Sequence, residues 1–166
     1  MIAFDIRKKE FQDCKTSPLL CWDVYQMEQM QHRQKQKDLE LLQALSCSHQ
    51  WDVKWDFEKE LFDHNSTILV VNQDEKVIFA SQNLYDMSGY YPKELEGKSP
   101  KVLQGEATEN YAKAVIRNAL SNQTPFEVTL TNYKKNGSTY KCHIKGFPIL
   151  NKEGKLANYI AFEQAV

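Results

Sequence analysis

Long apolar runs are missing from this 166-residue chain. Nothing approaches the roughly 20 consecutive apolar residues that a membrane-spanning helix needs. The N-terminal residues Met1-Ile2-Ala3-Phe4-Asp5-Ile6-Arg7 carry no export-signal pattern, so a cytoplasmic location is expected. An excess of charge of one sign is missing as well. The net charge is −1, with lysine and glutamate intermixed among the 26% of charged residues, so neither nucleic acid nor a membrane is an expected partner. Cysteine is scarce: Cys14, Cys21, Cys47 and Cys142 form no close framework and lack an export signal, which favours reduced thiols over disulfides. Glycine-rich phosphate loops and paired catalytic carboxylates are absent. Cys47 and His49 have a metal-like spacing, but no second pair with ligand spacing follows. Cys142 and His143 look like a dyad, yet neighbours on a strand point to opposite faces and cannot meet. The residues therefore point away from an enzyme and away from a metal site.

What is present is enough chain for one domain with a real core plus an extension. Ser17-Pro18 offers an N-cap and a first-turn proline, and a long helix is expected from there. Steps of three and four from Leu20 give Leu20, Val24, Met27, Gln31, Gln34, Asp38, Leu41 and Leu45, a stripe apolar at both ends. Its polar centre, residues 29–37, reads as the solvated face of one long helix. Between residues 46 and 65 the signals conflict, because Trp51, Val53, Trp55 and Phe57 alternate while residues 57–62 have helical composition. Residues 67–72 and 76–80 read as a hairpin buried on both faces, turned at Gln73-Asp74-Glu75. Helical punctuation follows over residues 81–89 and again from Pro92 to Gly97. Thr108 reads as the cap of a helix carrying Tyr111, Val115 and Ala119. The last third reads as three strands: Phe126, Val128, Leu130 and Asn132 on one face, a turn at Asn136-Gly137, then Tyr140, Cys142 and Ile144 on one face. A bulge is expected at Gly146, and the final strand places Tyr159, Ala161 and Glu163 opposite Asn158, Ile160 and Phe162.

The stretch Gly97-Lys98-Ser99-Pro100-Lys101-Val102-Leu103-Gln104-Gly105 reads as a packed connector, two glycines bracketing a proline and an apolar pair. Upstream stands Asn83-Leu84-Tyr85-Asp86-Met87-Ser88-Gly89-Tyr90, and downstream Asn132-Tyr133-Lys134-Lys135-Asn136-Gly137. Together these resemble a PAS domain, and within that superfamily the LOV (light-oxygen-voltage) branch, over about residues 67–164. The resemblance implies an α+β fold: a five-stranded antiparallel sheet with short helices on one face, here preceded by an N-terminal helical extension, with residues 57–63 filling the slot of a lead-in helix. It also implies a flavin (FMN) cavity, whose contacts would fall on Gln104, Arg117 and Asn132. Pro100 stands where the branch has its adduct-forming cysteine and Lys101 where it has an arginine. Cys142 replaces a pyrimidine-contacting asparagine, and Glu163 replaces the glutamine that senses the flavin. Proline has no thiol, so no adduct can form through it. An ionised carboxylate only accepts hydrogen bonds and would face the acceptors of an oxidised flavin, so the cofactor stays open.

The expected division is a helical extension over residues 1–60, for dimerisation or docking, and a PAS domain over residues 61–166. The expected function is a stand-alone sensory or protein-interaction module in signal transduction, passing a signal to an unidentified partner protein or between protomers. A flavin-binding LOV relative without adduct chemistry and a ligand-free scaffold that pairs chains are the alternatives. Ile160 and Phe162 call for a cover on the outer sheet face, which the helical stripe of a homodimer could supply. Glu163, in the cavity, calls for a cation, with Lys101 and Arg117 the candidates, or else for protonation with a bond to a backbone carbonyl.

Overall fold

A computed structural model describes residues 18–166, with side chains from residue 22 onward. Pro18, whose fixed φ and missing N–H suit a first helical turn, opens the 31-residue helix α1, Pro18–Ser48. The expected cap at Ser17 and the side chain of Leu20 lie outside the described residues. The helix runs unbroken through the polar centre, as its composition predicts. The chain divides into two compact units, Met1–Gln34 and Lys35–Val166. In the described part of the first, Trp22, Val24, Tyr25, Met27 and Met30 are all exposed.

In the second unit the buried face of α1 is Asp38, Leu39 and Leu42, while Leu41 is 56% exposed. This corrects the expected stripe through Leu41. Apolar residues at 39, 41, 42 and 45 contain two interleaved helical stripes, and periodicity alone does not choose between them. The choice is made by the sheet, against which Leu39, Leu42 and the half-buried Leu45 pack. Asp38 adds a polar tie: its Oδ2 accepts the Gln82 backbone N–H at 2.8 Å. In the stretch with conflicting signals, Trp51 forms a single antiparallel bridge to Asn151 and donates its indole N–H to Asn158 Oδ1 at 2.9 Å. Residues 57–63 are helical, ending in a π-helical turn, Lys59–Asp63, that buries Leu61.

The sheet has five strands in the order β2-β1-β5-β4-β3. They are β1 Thr67–Val71, β2 Val77–Ala80, β3 Phe126–Tyr133, β4 Thr139–Leu150 and β5 Leu156–Ala165. Every neighbouring pair is antiparallel. Between β2 and β3 come α2 Leu84–Ser88, α3 Pro92–Leu95, a 3₁₀ turn Pro100–Leu103 and α4 Asn110–Asn122. Strand alternation divides the core in two. The inner cluster joins Leu69, Leu130, Cys142 and Ile144 to Leu84, Leu95, Leu103 and Ala112 of the short helices. The outer cluster joins Ile68, Val70, Ile160 and Phe162 to Leu39, Leu42, Phe57 and Leu61. Ile160 and Phe162 are therefore covered by residues of their own chain. That corrects the expectation that they need a second copy.

Two local expectations change. Gly146 is regularly paired with Phe126 and with Ala161, and the irregularity in β4 falls between Ile149 and Leu150. A Cβ at Gly146 would collide with the Phe126 ring, so the glycine serves close approach and not a bulge. Thr108 does not cap α4, whose N-cap is Glu109. Instead its Oγ1 accepts the Gly105 N–H at 2.9 Å and donates to the Thr131 carbonyl at 2.6 Å, tying connector to sheet. The Asn136-Gly137 turn behaves as read, with Gly137 at φ 85° joining β3 to β4.

Candidate functional site

The inner sheet face, the connector and α4 border a half-open chamber of about 100 Å³. Its walls are set by short-range chemistry. Ser99 accepts the Lys101 N–H and opens the 3₁₀ turn, which turns Pro100, Leu103 and Gln104 into the lining. At the start of α4, Glu109 accepts the Thr131 N–H at 2.7 Å and the Thr131 hydroxyl at 2.9 Å, and it pairs with Lys141. These partners, the Lys141 ammonium first, hold the Glu109 carboxyl down to about 2. At the other end, Tyr159 donates its hydroxyl to the Leu120 carbonyl at 2.7 Å. So anchored, α4 presents Ile116 and Leu120 to the chamber.

The deep end is polar. Glu163 on β5 is 5% exposed and lines the chamber. Among the described residues the hydrogen bond to its carboxylate is that of the Cys142 thiol, Sγ to Oε2 at 3.7 Å, a long and weak contact. Burial pushes Glu163 up to about 7. Burial, then the adjacent Glu163 charge, pushes the Cys142 thiol up as well, which keeps it protonated and unreactive. Asn132, 2% exposed on β3, also lines the chamber, and among the described residues its Oδ1 has no hydrogen-bond partner. Across the β3–β4 pair from it stands Tyr140, whose buried hydroxyl likewise has no hydrogen-bond partner among the described residues. Burial, then Glu163, then Cys142 raise the Tyr140 phenol.

Of the five residues named from the sequence, Gln104, Asn132 and Glu163 come together on the chamber wall. Cys142 is fully buried in the inner cluster beside Glu163 and does not line the chamber. Arg117 is exposed and lines a neighbouring depression of about 340 Å³, together with Lys113, Lys101 and Glu75. Lys101 does not pair with Glu163. Its ammonium binds Glu75 at 2.8 Å, an ion pair that belongs to both chamber and depression and so marks the mouth between them. Sequence reading missed Glu75, and it missed Tyr140. Tyr140 had a signal: the Asn136-Gly137 turn sets the register that puts it opposite Asn132. Among the described residues no group of three or more His, Cys, Asp or Glu is placed to hold a metal ion. Cys47 is exposed and Cys142 buried, both as free thiols. No helix is long and apolar enough to cross a membrane, again among the described residues.

The flavin that the resemblance implies does not fit these residues. Sites for drug-sized ligands run to roughly 300–1,000 Å³. A chamber of about 100 Å³ is too small for a tricyclic ring system. Its polar end also carries Glu163, which when ionised only accepts hydrogen bonds, where an oxidised flavin presents acceptors of its own.

An antiparallel sheet of this order, closed on its inner face by short helices around a small internal chamber, defines a sensor-type α+β domain. The PAS domain family model matches residues 64–164, more than half of the chain, and the chain belongs to that family. Within it the chain is LOV-like, with Pro100 in place of the photoactive cysteine. It is 32% identical over 106 residues to Protein TWIN LOV 1 of Arabidopsis thaliana, covering 63% of this chain and 27% of that one. It is 26% identical over 88 residues to a blue-light-activated histidine kinase of Brucella ovis, covering 53% and 18%. The chain thus spans about a quarter or less of the length of these relatives. A solved light-oxygen-voltage domain studied with a flavin analogue superposes with a TM-score of 0.62 at 25% identity, covering 68% of this chain and 86% of that one. The PAS domain of the fruit-fly ELK potassium channel has the same fold, with a TM-score of 0.60 at 21% identity over 66% of this chain and 93% of that one.

Proposed function

We propose that this chain is a sensory PAS module that responds to a small ligand and not to light through a flavin adduct. It hands its state to a partner protein or to a second protomer, and it carries no catalytic chemistry of its own. The observation that carries the reading is the chamber: apolar walls beside a buried Glu163 carboxyl that a weak thiol contact holds, and beside Asn132 Oδ1, which has no hydrogen-bond partner among the described residues. Buried polar groups without partners are costly, so their persistence at a cavity wall marks a place where something else supplies the missing bonds. The similarity to a blue-light-activated histidine kinase supports a place in signal transduction.

In this reading residues 1–60 are a helical extension for docking or dimerisation and residues 61–166 are the PAS domain. The exposed Trp22, Val24, Met27 and Met30 support the extension as the surface through which a homodimer forms. Mass analysis of small molecules released on denaturing the purified chain tests the sensor reading. The expected result is a low-mass species and a colourless protein with no light-induced adduct. One flavin per chain would overturn the reading. Sedimentation tests the dimer, which should dissociate when Met27→Glu and Met30→Glu are combined. A ligand-free scaffold is the second reading, favoured by the chamber's small volume, and an empty extract with an intact dimer would select it.

A further inference from the structure

We propose that the chamber binds a small planar cation rich in N–H donors, an amidinium or guanidinium of only a few heavy atoms. The inference rests on the sensor reading and gives its ligand a chemistry.

Three observations carry it. The polar wall offers two acceptors: the Glu163 carboxylate, held among the described residues by a thiol at 3.7 Å, and Asn132 Oδ1, which has no hydrogen-bond partner among them. Among the described residues no cation forms an ion pair with Glu163. Lys101, which also lines the chamber, is committed to Glu75 at 2.8 Å, Lys141 to Glu109 and Lys135 to Glu94 at 2.6 Å, while Arg117 lines only the outer depression. The volume of about 100 Å³ then limits the guest. An engineered apolar cavity of roughly 150 Å³ holds a single benzene ring, so this one suits a smaller molecule. A buried carboxylate is matched best by a charge-assisted pair of parallel N–H donors, which an amidinium or guanidinium presents in one plane. A neutral acceptor or an anion would leave Glu163 and Asn132 as they are, or repel them. The Glu75–Lys101 pair at the mouth supplies an entrance, since a surface ion pair is weak enough to open.

The test uses the full chain and three isosteric probes: acetamidinium, acetamide and acetate. Binding is read at pH 8 from amide chemical shifts along β3 and β5. Acetamidinium should give saturable shifts with an affinity at least about tenfold above that of acetamide, and acetate should give none. Glu163→Gln should collapse the acetamidinium-to-acetamide ratio to near one. Ala161→Leu, which fills the chamber from the same strand, should abolish binding with Glu163 intact. The wild-type comparison of charged with neutral probe decides the matter even if neither variant folds. Equal affinities, binding of acetate, or no saturable shift with acetamidinium would overturn the proposal. The denatured extract separates this failure from that of the sensor reading. A neutral or anionic ligand in it would leave a sensor with a different guest and would end the present inference.

Discussion

Glu163 is the residue on which the chamber's behaviour turns. Its carboxyl is raised to about 7 in the folded chain from 4.5, chiefly by burial. Below pH ~4.5 the acid is protonated in both folded and unfolded states and its burial costs no ionisation energy. As pH rises toward 7 the unfolded chain ionises first, so stability falls, by on the order of 3 kcal/mol once the pH is above the folded value. The groups that face it keep their charge through this window: the Cys142 thiol and Tyr140 phenol are raised and stay neutral, and Asn132 does not titrate. Asp38, raised to about 6 chiefly by burial, adds a loss of the same sign. Urea midpoints at pH 5 and pH 8 should therefore drop in wild type and drop less in Glu163→Gln, the difference isolating Glu163. Equal drops would mean the acid is not buried unpaired. Gly146 gives a second test at this scale. Gly146→Ala drives a methyl into the Phe126 ring, which must leave its place on the chamber wall, and a cost of about 1–3 kcal/mol is expected in the same denaturation assay. Sequence alone suggested a bulge there, because an isolated strand glycine looks the same whether it serves a bulge or a cross-strand ring.

Among the elements, α1 shows where pattern stops and packing begins. Its start at Pro18 and its continuity through the polar centre were legible, since a first-turn proline and unbroken helical composition need no tertiary partner. Its buried face was not. Leu42 is fully buried in the outer cluster, and Leu42→Ala should cost about 2–5 kcal/mol in a thermal or urea melt. Leu41, one position away and 56% exposed, should change stability by no more than about 0.5 kcal/mol on the same substitution. The reverse ranking would restore the stripe that periodicity suggested. The strands were more legible than the helix. A period of two leaves only two faces to choose from, and Asn136-Gly137 pinned the register of β3 against β4, so Leu130 and Asn132 fell with Cys142 and Tyr140 as read.

For the whole molecule, the compact unit from Lys35 to Val166 means that half of α1 belongs to the sheet it covers. A fragment of residues 35–166 should unfold cooperatively. A fragment of residues 61–166 loses Leu39, Leu42, Trp51 and Phe57 and bares Ile160 and Phe162. Each large side chain unburied removes roughly 1.5–3 kcal/mol, so that fragment should aggregate or bind a hydrophobic dye. Equal solubility and equal midpoints for the two would refute the cover. The sequence by itself determined the fold class and the five strands. Those depend on local pattern and on motifs only a few residues long. Tertiary structure alone decided that the outer face is closed by its own chain, that Lys101 turns to Glu75 and not to Glu163, and that the chamber is too small for a flavin. Those facts depend on which side chains from distant elements meet, and on the volume left between them, which no one-dimensional pattern records.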